Sequence, residues 1–157
     1  MPVITIETEI SAPIGRVFDL ARSIDLHAAS QSKSQEKAVA GVTEGLIGLN
    51  ESVTWEATHF GVRQRLSSII TAYKKPFYFQ DVMVEGAFRR FAHDHFFKQK
   101  DLKTVLMTEI FDYESPFRIF GRIADALFLE RYMRRLLTEK SLVIKRTAEG
   151  DDWRKFL

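Results

Sequence analysis

Two runs, Phe91-Ala92-His93-Asp94-His95-Phe96-Phe97-Lys98 and Thr104-Val105-Leu106-Met107-Thr108-Glu109-Ile110-Phe111-Asp112-Tyr113, are separated by only five residues. In the first, Phe91, His93, His95 and Phe97 alternate with the intervening side chains. In the second, Met107, Glu109, Phe111 and Tyr113 do the same. A period of two is the mark of a β-strand. A parallel crossover needs a dozen or more residues, so the short turn opened by Asp101 makes the two runs an antiparallel hairpin.

Working outward, the same texture extends back to Ala38. Ser52 to Thr58 alternates cleanly, Gly61 turns the chain into a run from Val62 to Tyr73, Lys74-Lys75-Pro76 breaks it, and Phe77 to Val84 follows. Gly41, Gly45 and Gly48 punctuate the turn before Ser52. At the N-terminus Ile4, Ile6 and Ile10 share one face of a strand spanning Val3 to Ile10. Ser11-Ala12-Pro13 opens a helix with Ser11 as its expected cap, and Asp25 is the expected cap of a second. Residues 30–37 are polar and aperiodic, which predicts a loop or a frayed helix end. Beyond Ser115-Pro116 the longest helical pattern runs from Phe117 to about Arg146, and its wide apolar stripe suits a helix covered on more than one side. The order is strand, two short helices, six strands, long helix: an α+β chain whose curved antiparallel sheet of about seven strands needs the last helix on its concave face. Residues 1–157 read as one domain.

Composition narrows the function. The chain has 157 residues, 45% of them apolar, with 13 Phe, 2 Trp and 4 Tyr. Phe brings bulk without a polar handle, so a large apolar space is being lined. With no Cys, disulfide scaffolds, thiolate zinc sites and cysteine nucleophiles are excluded. No apolar run approaches the roughly 18 residues of a membrane span, and the first residues lack a basic region, so a cytoplasmic protein without a secretory signal is expected. The net charge of +2 divides unevenly: residues 1–60 carry four basic and eight acidic groups, so the rest carries 19 and 13 of the totals of 23 and 21. These basic residues are interspersed with acids at helical spacing. A solvated helix face explains them better than nucleic acid, for which no recognition module accompanies the charge. Neither a nucleophile elbow nor a phosphate-binding glycine loop is present.

Several fragments, weak singly, are strong in their order. Ala12-Pro13-Ile14 with Val17-Phe18-Asp19, Asp25-Leu26-His27, Val53-Thr54-Trp55 with His59-Phe60-Gly61, and Phe79 to Val84 leading to Gly86-Ala87-Phe88 precede the two runs quoted first. Asp112-Tyr113 and Pro116-Phe117 follow them. Across residues 3–147 the chain resembles the helix-grip superfamily of START lipid-transfer domains, birch-pollen-type allergens and polyketide cyclase/dehydrase-like proteins (SRPBCC), and is most similar to its small bacterial ligand-binding members. The resemblance implies a sheet wrapped around the C-terminal helix with an internal cavity. It implies no reaction. Arg118, and Leu49-Asn50, stand where glycine is common in that group.

The candidate site follows from alternation. His93 and His95 point to one face between Phe91 and Phe97. They read either as a metal pair, completed by His59, Asp81 or Glu109, or as hydrogen-bonded cavity histidines. The second reading is preferred, and no metal or cofactor is expected. Asp81 shares a face with Phe79 and Met83, and Glu109 with Met107, Phe111 and Tyr113. Two such carboxylates serve as acid–base groups or merely pair with the histidines or with Arg63, Arg65, Arg89 or Arg90. Pairing is preferred. Trp55, Phe128 and Tyr132 complete the expected walls, and a bulky residue at Ala92 is expected to block the cavity. The preferred function is binding or carrying a small hydrophobic molecule such as a lipid, isoprenoid or polyketide-like compound. The alternatives are a cyclase, dehydratase or hydrolase using His93, His95, Asp81 and Glu109, and a protein-interaction module; a second copy of the chain is a candidate partner.

Overall fold

The computed structural model of the protein describes residues 2–115, 123 and 128–157. Its strands are β1 (Val3–Ile10), β2 (Lys37–Gly41), β3 (Ser52–His59), β4 (Val62–Lys74), β5 (Tyr78–Glu85), β6 (Arg90–Gln99) and β7 (Val105–Glu114). They form one seven-stranded sheet in the order β1-β7-β6-β5-β4-β3-β2, antiparallel at every step. Short connections pair β2 through β7 in succession. Helices α1 (Ile14–Ala21) and α2 (Ile24–Ser30) occupy the one long connection, which lets β1 lie beside β7, with Ile4 opposite Phe111 and Ile10 opposite Val105. The expected α+β helix-grip architecture is the observed one.

Register shifts at Ala38/Ala40, Ser67/Ser68 and Ile70/Ala72 mark bulges on β2, β5 and β4 in turn, with Val39, Val84 and Thr71 as the extra residues. Bulges bend a strand and increase its twist. Along β7 burial alternates without a break: Val105, Met107, Glu109, Phe111 and Tyr113 face inward. On β6, Phe91, His93, His95 and Phe97 do the same.

The helix starts differ from expectation. Pro13, with no side-chain hydrogen bond, precedes α1, while the Ser11 amide donates instead to Glu149 Oε2 at 2.8 Å. Ser23 caps α2, its hydroxyl oxygen accepting from the Leu26 amide at 3.2 Å. Asp25, one residue inside that helix, accepts from the Gly45 amide at 2.9 Å and ties down the glycine turn. The polar stretch after α2 contains a 3-10 turn, Ser32–Ser34, before β2 begins.

The described part of the last helix, α3, is Glu130–Glu149, about 30 Å long. It ends three residues later than the pattern suggests, where the Gly150 amide donates to the Arg146 carbonyl at 3.1 Å. Of the expected break at Ser115-Pro116 only Ser115 is described; Pro116, Phe117, Arg118 and most of the first turns of the pattern lie outside the described residues. Leu137, Lys140, Ser141, Ile144, Thr147 and Ala148 form the buried stripe of α3 at i, i+3, i+4, i+7, i+10 and i+11. Three of them are polar, which an ordinary core-facing helix avoids.

Apolar packing falls into two clusters. The larger centres on Phe18, whose ring meets Tyr73, Phe79 and Phe97 edge-on at 5.3–5.5 Å. The smaller joins Ile4, Phe91, Phe111, Tyr113 and Leu137. Along β6 the order is Phe91, then His93 and His95, then Phe97; along β7 it is Met107, then Glu109, then Phe111. The hydrophobic core is therefore split by a layer of ionisable side chains.

Candidate functional site

A cavity of about 420 Å³ lies between the sheet and the helices. Apolar and aromatic groups supply most of its wall: Trp55 and Ala57 from β3, Phe79 from β5, Phe91 from β6, and Leu136 and Leu137 from α3. Its polar wall is where the two core clusters part.

There the β5–β6 register sets Asp81 opposite His93 and Phe79 opposite His95. The β6–β7 register sets His95 opposite Glu109. The His93 and His95 rings lie 3.9 Å apart, tilted by 35°, and Phe79 stacks on His95 at 4.1 Å. The two carboxylates flank the pair. His95 Nε2 lies 2.9 Å from Asp81 Oδ1 in a hydrogen bond. His95 Nδ1 is 3.2 Å from Glu109 Oε1, an ion contact whose alignment is too poor for a hydrogen bond. His93 reaches neither carboxylate: Nδ1 is 3.9 Å from Asp81 and Nε2 is 3.9 Å from Glu109. Behind the layer, the Ser141 hydroxyl from α3 donates to Glu109 Oε2 at 2.7 Å. Glu109 is 1% exposed and His95 likewise; the Asp81 side chain, at 19%, is the open end of the chain of groups.

Electrostatics follow from that placement. Burial disfavours charge on both histidines. For His93 burial dominates, the neighbouring His95 adds to it, and the pKa falls to about 3. For His95 burial also opposes charge, but the hydrogen bond to Asp81 and the contact with Glu109 outweigh it and raise the pKa. Burial works to raise both acids, yet His95 and then His93 hold Asp81 and Glu109 below the ordinary carboxylate range. The two imidazoles between the carboxylates are thus biased in opposite directions, His93 toward the neutral form and His95 toward the charged one.

A second polar group faces the same cavity from α2. His27 stacks on Trp55 at 4.1 Å, and its Nε2 lies 2.8 Å from Glu36 Oε1. Lys140 of α3 is 8% exposed and lines the cavity between the two groups, with no hydrogen bond or ion pair among the described residues. At the rim, His59 Nδ1 and the Tyr132 hydroxyl are 2.6 Å apart, and Phe60 packs on the Tyr132 ring at 4.5 Å.

Of the expected site residues, Trp55, His59, Phe79, Asp81, His93, His95, Phe111, Phe128 and Tyr132 line the cavity. The other four do not. Met107 belongs to the larger core cluster, Tyr113 and Met83 to the smaller, and Glu109 stands behind the histidines. The arginines proposed as partners are engaged elsewhere: Arg63 and Arg65 with Glu56 at 2.8 and 3.1 Å, Arg89 with Glu114 at 3.4 Å and Arg90 with Asp112 at 3.0 Å. Ala92 alternates with His93 and faces away, whereas Ala57 on β3 is a small residue that lines the wall. Sequence reasoning missed His27 as a wall residue, Glu36, Lys140 and Ser141. For the last two the signal is present, polar residues at 140 and 141 within an apolar helical stripe.

No protein-family model matches the chain, and no curated protein matches it. Solved structures do. The chain is similar to a protein of Thermus thermophilus, with a TM-score of 0.72 and 19% identity over 94% of this chain and 99% of that one. It is similar to major latex-like protein 151 of Panax ginseng, with a TM-score of 0.67 and 15% identity over 95% and 98%. A norcoclaurine synthase point mutant of Thalictrum, in complex with a transition-state analogue, gives a TM-score of 0.67 and 12% identity over 91% and 93%. What the chain shares with all three is the helix-grip fold.

Proposed function

We propose that the protein binds a small, largely apolar molecule with one polar end, of lipid, isoprenoid or polyketide-like class. The observation that carries this reading is the cavity itself, about 420 Å³ of space with aromatic and aliphatic walls and polar groups gathered at Asp81, His93, His95 and Lys140. Such a combination is what small-molecule sites are made of: apolar area for affinity, a few placed polar groups for orientation. Burying about 200 Å² of apolar ligand surface is worth roughly 5 kcal/mol before the costs of association. The Lys140 ammonium favours a polar end that accepts hydrogen bonds or carries negative charge.

An acid–base enzyme of cyclase, dehydratase or hydrolase type is the second reading. It is favoured by the Asp81–His95 hydrogen bond at the cavity edge, which could pass a proton to or from a bound molecule. That one protein of this fold is a synthase adds to its weight.

Mass spectrometry of the protein from its native host separates occupancy from emptiness. We expect an adduct under native conditions that disappears on denaturation. The absence of any adduct, together with failure to bind an apolar fluorescent probe, would defeat the binding reading. Consumption of the released compound by fresh protein would favour the enzyme.

A further inference from the structure

We propose that Asp81, His93 and His95 hold a divalent transition-metal ion of the zinc class, with Glu109 as the outer carboxylate behind the two imidazoles. One ligand atom from each of the three lies within 4.8 Å of the others. A tetrahedral ion with bonds of about 2.0–2.1 Å sets its donors about 3.3 Å apart. The observed spacings on the Asp81 side are 2.9 Å to His95 Nε2 and 3.9 Å to His93 Nδ1. Asp81 therefore has only a short shift to make, and it is the partly open member of the set, on the cavity side.

Three independent features favour an ion there. First, His93 is 5% exposed, and its Nε2 is buried without a hydrogen-bond partner among the described residues. A buried imidazole normally finds partners, because an unmade hydrogen bond costs about 1–3 kcal/mol. Its Nδ1 lies 3.9 Å from Asp81 Oδ1, too far for a hydrogen bond and a gap into which a coordinated ion fits. Second, the far side is built as an outer shell. Glu109 Oε1 lies 3.2 Å from His95 Nδ1 and 3.9 Å from His93 Nε2, on the nitrogens turned away from Asp81, and Ser141 anchors the other carboxylate oxygen. Metal-bound histidines commonly give their second N–H to such a carboxylate. Third, Asp81, His93 and His95 all line the cavity and Glu109 does not. The remaining coordination positions would face the space where a small molecule binds.

Two imidazole nitrogens and one carboxylate oxygen suit zinc, iron(II), cobalt(II) or nickel(II), and argue against calcium or magnesium, which prefer all-oxygen sets. This inference does not depend on an organic ligand being found, because it is tested with the metal alone.

The full chain, stripped with chelator, is titrated with zinc and separately with cobalt(II); bound metal is counted after gel filtration and the cobalt visible spectrum recorded. We expect one equivalent per chain and a cobalt spectrum of low-symmetry, four- or five-coordinate type. Changing His93→Ala or His95→Ala should weaken binding by at least about 100-fold, and Glu109→Gln by about 10–100-fold. Asp81→Asn, at the open edge, keeps the test valid should a buried histidine variant fail to fold, and should also lose at least about tenfold. A wild-type protein that retains no zinc or cobalt overturns the inference. So does a folded His93→Ala or Asp81→Asn variant that binds as tightly as wild type, which would put the ion elsewhere, with His27 and Glu36 the next set to test.

Discussion

At the scale of single residues, the His27–Glu36 pair carries a pH dependence whose sign can be worked out. Burial and then Lys140 push the His27 pKa below 6.5, while His27 holds Glu36 below 4.5 against the opposing effect of burial. The unfolded chain takes up protons on these groups, as pH falls through 6.5 and then 4.5, before the folded protein does. Their contribution is complete above pH 6.5 and is lost as pH falls. Wild type should lose more stability than His27→Gln between about pH 7.5 and 5.5, by at most about 1.4 kcal/mol per unit of pH for one proton. Denaturant midpoints measure the difference; equal slopes for the two proteins would refute the assignment. This pair also shows the limit of reading a sequence. His93 and His95 are legible because a strand puts i and i+2 on one face. His27 and Glu36 meet through the 3-10 turn at Ser32–Ser34, and no local period announces such a turn.

At the scale of elements, strands are legible almost to the residue, since one wet and one dry face impose an alternation nothing else mimics. Helix starts are not, because several Ser and Asp residues compete for one cap and tertiary contacts decide: Ser11 pairs with Glu149, and Asp25 with Gly45. The turn before β3 shows backbone demand without a glycine. Asn50 takes φ +65, the left-handed conformation a glycine would supply, and asparagine is among the few residues that tolerate it. Two glycines of that region make a matched test. Gly41 and Gly45 have φ of +73 and +75, but a Cβ on Gly41 would strike the Ser52 carbonyl, whereas one on Gly45 meets nothing within 4 Å. We expect Gly45→Ala to cost about 1 kcal/mol and Gly41→Ala about 3 kcal/mol or more, measured by urea unfolding. Equal losses would show that the β2–β3 approach is looser than described.

At the scale of the whole molecule, the fold gives up a continuous core. An ionisable layer separates two apolar clusters, and open space takes the place of packing beside it. Filling that space tests whether the sacrifice serves binding. In Ala57→Trp the indole enters the cavity from the wall. We expect the variant to fold with stability within about 1 kcal/mol of wild type and to lose uptake of apolar probes. Full uptake by a folded Ala57→Trp protein would place the binding space elsewhere. The existence of a cavity is legible from the resemblance and from the surplus of Phe; the detail of its wall is not. Met107, Tyr113 and Glu109 share the inward face of β7 with Phe111, and alternation cannot tell the residues that touch the space from those one layer behind it.

The two tryptophans are placed very differently. Trp55 stands in the cavity wall with His27 stacked on it at 4.1 Å. Trp153 lies at the end of the chain, with the guanidinium groups of Arg16 and Arg154 at 4.1 and 4.8 Å from its ring. Removing the second as Trp153→Phe leaves a single emitter, beside an imidazole that quenches when it charges. The protein thus carries its own optical gauge: intensity follows the protonation of His27, and wavelength follows whether water or a guest surrounds the indole.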